Sequence, residues 1–329
     1  MFSTVKNNTP GPVQPLLLAL ILLLCPAGCH QTDSGAPSID PALEAVQADD
    51  SSMNVDDSAE VRVLPPIEET FIPGEAAPII AAQQTKKVVK KTLPRVAIII
   101  DDMGYHRDIG EALLELDMDI SFSFLPCAPL TREHEKKAYE LGHDVLVHLP
   151  MQPKNTATDP GPGALLVNQS EEELSAVTHQ LLDGVPHATG ANNHMGSLFT
   201  EQREAMRSVL RVLRQRGFFF IDSFTSAAST GLEEARLMGI PCERRHIFLD
   251  NKQETTKICE QLQHLATLAR QQGQAIGIGH PYQTTLNALT DCASLLDGVQ
   301  VVPVHMLLPP PPTLSDDQQQ PALVERFHP

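Results

Sequence analysis

The residues best able to do chemistry stand at the ends of short apolar runs. The run 96–100 leads into Asp101-Asp102, the run 144–147 into His148 and the run 218–221 into Asp222. Two further groups are Asn192-Asn193-His194-Met195-Gly196-Ser197 and Ile276-Gly277-Ile278-Gly279-His280-Pro281. Adjacent carboxylates cannot both point inward from a regular strand, because successive side chains alternate. At a break after the strand, both can line one pocket, where one holds a metal and the other takes a proton. His148, at the end of an apolar strand before a proline-locked turn, can offer a ring nitrogen to a metal such as Zn²⁺. His194 stands between two amides and a glycine, a composition that suits a polar site loop. Asn192 and Asn193 can bind substrate hydroxyls, position the pocket or form an Asx-type turn. His280 can protonate a leaving group. Each residue taken singly also fits a structural role: a turn aspartate or a hydrogen-bonded histidine. Their recurrence at strand ends is what points to an enzyme.

The elements that must position these groups alternate in type. Strands are expected over 96–100, 120–124, 144–147, 218–221, 247–249 and 275–278, with a short one before Asn192. Helices are expected over 109–116, 131–141 with Thr131 as N-cap, 171–182, 201–216 with Thr200 as cap, 232–239, 255–272 and 284–296. The segment 299–304 closes the series as an edge strand, because Pro303 cannot donate to a central ladder. Alternating strands and helices imply an α/β fold with a parallel sheet covered by helices. In such folds the carboxyl ends of the strands carry the site.

The chain has 329 residues, 42% of them hydrophobic, enough for a substantial core. Its formal net charge of −17 argues against a nucleic-acid partner, which needs a basic face to displace counterions. Residues 1–29 read as a signal peptide: Lys6, a short apolar run 16–24, then Pro26-Ala27-Gly28-Cys29. The run is too short to span a membrane, and small residues before Cys29 suggest a lipobox with Cys29 as the lipidated residue. Export to the periplasm or cell envelope, with a membrane anchor at the N-terminus, is therefore expected. Residues 30–92 read as a disordered acidic linker, 93–308 as the folded domain, and 309–329 as a Pro/Gln-rich tail. Of the six cysteines, Cys127, Cys242, Cys259 and Cys292 lie in the domain. None has C-x-x-C spacing, and spacing leaves their pairing open.

These motifs together resemble the divergent polysaccharide deacetylases, relatives of the NodB-homology carbohydrate deacetylases. The resemblance covers roughly 93–308 and rests on Ile98-Ile99-Ile100-Asp101-Asp102-Met103-Gly104, His148-Leu149-Pro150-Met151-Gln152-Pro153, Pro160-Gly161-Pro162-Gly163-Ala164-Leu165, Asn192-Asn193-His194-Met195-Gly196-Ser197, Phe220-Ile221-Asp222-Ser223 and Gly279-His280-Pro281. It implies a distorted (β/α) barrel and removal of acetyl groups from an envelope glycan by a divalent metal, Zn²⁺ by expectation. It further implies Asp101 as base, Asp102 and His148 as metal ligands, and Asp222 and His280 as catalytic groups. The sequence departs from the NodB pattern in two ways. Gln152 occupies the position of a second histidine ligand, and a motif arginine is missing, with Asn193-His194 in its place. Either His194 supplies the third ligand or metal binding is impaired. Asn192, Asn193 and Gln152 are then candidates for substrate binding. The alternative is a glycan- or protein-binding envelope lipoprotein that kept the fold without the chemistry.

Overall fold

The computed structural model describes residues 92–309. The expected leader with Cys29, nearly all of the expected linker and the tail after 309 lie outside the described residues. Among the described residues, no helix is long and apolar enough to cross a membrane.

The strands are β1 (Arg95–Met103), β2 (Ser121–Phe124), β3 (Asp144–Met151), β4 (Gly190–Met195), β5 (Phe219–Asp222), β6 (Cys242–Arg244), β7 (Ile247–Phe248), β8 (Gln274–Gly279) and β9 (Gln300–Val301). The helices are α1 (Arg107–Leu114), α2 (Thr131–Glu140), α3 (Glu171–Asp183), α4 (Arg203–Gln215), α5 (Gly231–Leu237), α6 (Thr255–Gln272) and α7 (Gln283–Asp291). All strand pairs are parallel, in the order β6-β5-β4-β3-β2-β1-β8-β7. β9 pairs with the first residues of β1, which β2 leaves free because its own register begins at Ile99. The sheet curls into a distorted (β/α) barrel, as the sequence implied.

The curl is not closed by a ladder, since β6 and β7 end opposite edges of the sheet. Two residues between them stitch the seam. Arg245 reaches the β5 side: its backbone N–H donates to the Asp222 carbonyl, and its guanidinium donates to the carbonyls of Ser223 (2.7 Å) and Phe224 (3.0 Å). His246 reaches β8: its N–H donates to the Ile276 carbonyl, and its Nδ1 accepts from the Ile276 N–H at 3.1 Å. The guanidinium also lies over the Phe248 ring of β7, 3.5 Å from its centroid.

Strand alternation sorts the core into two layers. Val96, Ile98 and Ile100 of β1 pack in the larger cluster, among residues of the helices. Ala97 and Ile99 pack in a second cluster with Leu146, Phe219, Ile221, Ile276 and Ile278, on the inner face of the curl. A side chain that keeps step with this inner set faces the barrel mouth; one out of step faces the helices.

Several expectations are corrected. Thr131 does not cap α2, because its hydroxyl donates to the Leu125 carbonyl and Leu130 holds the cap position. Thr200 sits in a 3₁₀ turn, and Gln202 precedes α4. The 284–296 helix breaks after Asp291 into a 3₁₀ turn. β6 was not anticipated, being only three residues long. Asn192, Asn193 and His194 lie on β4 rather than in a loop, and His148 lies inside β3.

Candidate active site

β1 carries both carboxylates by breaking its own register. Ile100 pairs with Phe122 and Met103 with Phe124, so two residues of β1 oppose the single residue Ser123. This is a β-bulge, and within it Asp102 adopts a left-handed backbone, φ 54°. Asp101 is in step with Ala97 and Ile99 and faces inward. Asp102, out of step on a regular strand, is brought round by the bulge. Gly104 follows at φ +115°, where a Cβ would lie 2.3 Å from the Thr131 hydroxyl.

The inner face of β3 continues from Leu146 to His148, and that of β4 places Asn192 and His194. Three atoms meet there. Asp102 Oδ1 lies 3.1 Å from His148 Nε2 and 2.8 Å from His194 Nδ1, and the two ring nitrogens are 3.2 Å apart. Three ligand atoms about 2.1 Å from a shared cation, at tetrahedral to octahedral angles, stand about 3.0–3.4 Å apart. The triangle is of that size. Among the described residues, no hydrogen-bond donor is aligned on the buried Asp102 Oδ1, despite both nitrogens nearby. That arrangement suits donors converging on a cation. The side chain of His148 is 2% exposed, those of His194 and Asp102 16% and 29%, so the cluster opens on one side. An open position is what a catalytic metal requires.

Asn192, fully buried, organises the next layer. Its Nδ2 donates to Asp101 Oδ1 at 2.7 Å, and its Oδ1 accepts from His148 Nδ1 at 2.7 Å and from the Ser123 hydroxyl at 2.6 Å. With the proton of neutral His148 on Nδ1, Nε2 keeps its lone pair toward the cluster, the tautomer a metal needs. Burial raises the Asp101 carboxyl above the ordinary range, while His148, His280 and the Asn192 amide pull the other way. Burial also acts against the Asp102 carboxylate, but His194 and His148 hold it well below its usual value.

Ile100 pairs with Gly279, which puts His280 beside Asp101. Asp250 clamps this histidine, accepting from its backbone N–H at 2.6 Å and from Nδ1 at 2.9 Å; Asp250 Oδ2 also accepts from the Thr285 hydroxyl at 2.8 Å. Burial disfavours the imidazolium, but the Asp250 carboxylate wins and raises His280 to about 9. His280 therefore carries a proton at neutral pH.

The structure thus brings together Asp101, Asp102, His148, Asn192, His194 and His280. It does not bring Asp222, Asn193 or Gln152 to the cluster. Asp222 is in step with the helix-facing Phe220, and its oxygens accept from Phe224 N, the Ser229 hydroxyl and Leu232 N. Asn193, on the same outer side as Ala191, accepts from Ser223 N just past β5 at 2.9 Å and donates to the Met195 carbonyl of its own strand at 2.8 Å. Gln152 Oε1 accepts from Val167 N and fastens the 152–167 loop. Sequence reading placed Asp250 among the strand-end polar groups without giving it a role, and missed Ser123. Asp250 ends an apolar run like the chosen residues; nothing local marks Ser123.

Comparison with known proteins gives a consistent result. Residues 98–308 match the family model described as divergent polysaccharide deacetylase. The uncharacterized protein YibQ of Escherichia coli (strain K12) is 35% identical over 202 residues, 59% of this chain and 61% of that protein. The match thus spans less than two thirds of that relative. An uncharacterized protein of Haemophilus influenzae is 34% identical over 209 residues, 63% of this chain and 74% of that protein. The crystal structure of an uncharacterized protein from Agrobacterium tumefaciens C58 superposes with a TM-score of 0.63 at 25% identity, covering 66% of this chain and 90% of that one. With its match to the family model across the whole α/β domain, the chain belongs to the divergent polysaccharide deacetylase family.

Proposed function

We propose that the domain is a metal-dependent hydrolase that removes acetyl groups from an envelope polysaccharide, with Zn²⁺ as its metal. The observation that carries this reading is the convergence of Asp102, His148 and His194, whose ligand atoms all lie within 4.8 Å of one another, with Asp101 held by Asn192 beside them. A cation held by these three residues supplies positive charge for an acetyl carbonyl oxygen and lowers the pKa of water.

The rest is work for side chains. Asp101, oriented by Asn192, takes a proton from the attacking water. His280, protonated and clamped by Asp250, gives a proton to the departing amine nitrogen or alkoxide oxygen. As the acyl carbon bonds to the water oxygen, its bond to the amine nitrogen or ester oxygen breaks, leaving acetic acid as one product and the free amine or alcohol as the other. Two carboxylates with different environments divide the roles, the buried one as base and the histidine-ringed one as ligand. The non-catalytic alternative rests on the missing arginine and on Gln152 at a ligand position. What favours catalysis is that His194 completes the triangle without that position.

The proposal extends to export, to anchoring through Cys29 and to an acetylated glycan partner. Cys259 and Cys292 are joined in a disulfide, which suits an oxidising compartment. The test combines metal analysis of the purified chain with acetate release from acetylated oligosaccharides. One equivalent of metal, lost in Asp102→Ala and His148→Ala, is expected. Asp101→Asn should keep the metal and lose acetate release by about 10²–10⁴-fold. Metal-free protein after growth and dialysis with each divalent ion, with no acetate released, would sink the reading.

A further inference from the structure

Ser223 stands one residue past β5, and its side chain has no part in the proposed mechanism. The residue is 2% exposed, and among the described residues its hydroxyl has no hydrogen-bond partner. A hydroxyl buried in this way gives up its water hydrogen bonds and gains none in return. The rest of Ser223 is fully engaged. Its N–H donates to Asn193 Oδ1 at 2.9 Å, and its carbonyl accepts from Arg245 Nε at 2.7 Å. The backbone is thus pinned from both sides, and the Oγ–H alone is left to serve a ligand.

Strand phase decides which way that hydroxyl faces. Phe219 and Ile221 belong to the inner cluster. Asp222 and Phe224, on either side of Ser223, line a separate cavity with residues of α5. Ser223 therefore takes the inner side. β4 and β5 are in register at Asn192 and Ile221, and two residues further on this register sets Ser223 beside His194. The inner positions at the barrel mouth then run Asp101 on β1, His148 on β3, His194 on β4, Ser223 after β5 and His280 after β8. Arg245 and Phe248 fill the seam between Ser223 and His280. The guanidinium lies over the Phe248 ring, and that ring stacks on His280 with 6.1 Å between centroids.

The position of Ser223 in this ring selects its chemistry. The base Asp101 and the acid His280 come from the paired strands β1 and β8. An acetyl carbon under attack carries the water oxygen, the leaving atom, a methyl group and the carbonyl oxygen. The water lies toward Asp101 and the leaving atom toward His280. The carbonyl oxygen gains negative charge, which the Asp101 carboxylate repels toward the β4–β5 side. A methyl group calls for an apolar wall there; an oxyanion calls for a donor. We infer that Ser223 is a further catalytic residue, whose Oγ–H donates to the carbonyl oxygen of the bound acetyl group as that oxygen becomes an oxyanion. A fixed donor aimed at developing charge lowers the barrier without tightening ground-state binding.

The inference rests on the proposed deacetylase reading, and the measurements keep the two apart. The Zn²⁺-loaded full chain is titrated calorimetrically with methylphosphonate, whose tetrahedral centre bears a methyl group and charged oxygens, as the attacked acetyl carbon does. Ser223→Ala should bind it at least about tenfold more weakly than the parent, at equal Zn²⁺ content. In acetate release from acetylated oligosaccharides, kcat should fall about 10²-fold or more at unchanged KM. Urea unfolding separates this role from a structural one: the variant should be at least as stable as the parent, because no internal hydrogen bond is lost. Equal or undetectable methylphosphonate affinity in both proteins, an unchanged kcat, or a less stable variant would overturn the role of Ser223. A parent that binds methylphosphonate through Ser223 yet releases no acetate would overturn the deacetylase reading and leave Ser223 as an oxyanion donor for another substrate.

Discussion

Asn192 has no charge and neither gives nor takes a proton in the proposed mechanism, yet its amide sets the chemistry of two neighbours. The NH₂ end orients Asp101, and the oxygen end fixes the tautomer of His148. Such partners of metal ligands typically carry about 10–100-fold in affinity. Asn192→Ala should therefore weaken metal binding by about that factor in a competitive chelator titration, with the ligand residues intact. Unchanged affinity would show that Asn192 only fills space. Its sequence neighbour Asn193 belongs to the opposite face of β4 and serves β5. The two amides look alike in the sequence, and only the parity of the strand separates them. The same parity removes Asp222, which ends an apolar run as His148 and His280 do but one step out of phase with the inner face.

At the scale of elements, β1 and α2 carry the decisive local features. The bulge that admits Asp102 depends on the chain turning sharply again at Gly104. A Cβ there would meet the Thr131 hydroxyl at 2.3 Å and the Ala128 Cβ at 2.8 Å, at a φ of +115°. Gly104→Ala combines backbone strain with overpacking, each worth about 1–3 kcal/mol. Urea unfolding should show a loss of about 2–5 kcal/mol, with metal affinity falling as the bulge shifts. On α2, His134 is 1% exposed, and neither ring nitrogen has a hydrogen-bond partner among the described residues. Burial lowers its pKa, against the pull of Glu133 and Glu111. The unfolded chain then binds a proton more readily than the folded one. Stability is complete above the unfolded value near 6.5 and falls as pH drops below it toward the lowered folded value. His134→Phe should flatten that part of the stability–pH curve. A slope identical to the parent's from pH 7 to 5 would mean that other groups dominate.

At the scale of the whole molecule, the barrel is held at two places that no strand ladder covers. One is the seam stitched by Arg245 and His246. The other is the Cys259–Cys292 disulfide, which joins α6 to the residue that ends α7 across a sequence separation of 33. Closing a loop of that length in the unfolded chain is worth about 4 kcal/mol in the chain-entropy model. The variant Cys259→Ser/Cys292→Ser should lose about that much in urea denaturation, and dithiothreitol should destabilise the parent but not the variant. Equal stability with and without reductant would show that the pair is not formed.

The sequence by itself determined the alternating order of strands and helices, the ends of the strands as the place of chemistry, and the types of residue gathered there. Apolar runs and strand-end polar groups are local patterns, and local patterns suffice for that. Only the tertiary structure decided which of those groups share a space. Inward or outward facing depends on strand phase, which a bulge of one residue inverts, as it does for Asp102. The third corner of the triangle was open in the sequence, between His194 and an impaired site, because a residue 46 positions from His148 meets it only through the β3–β4 register. The disulfide was open for the same reason: the pairing of Cys259 with Cys292 is a distance in space, and composition carries no information about it.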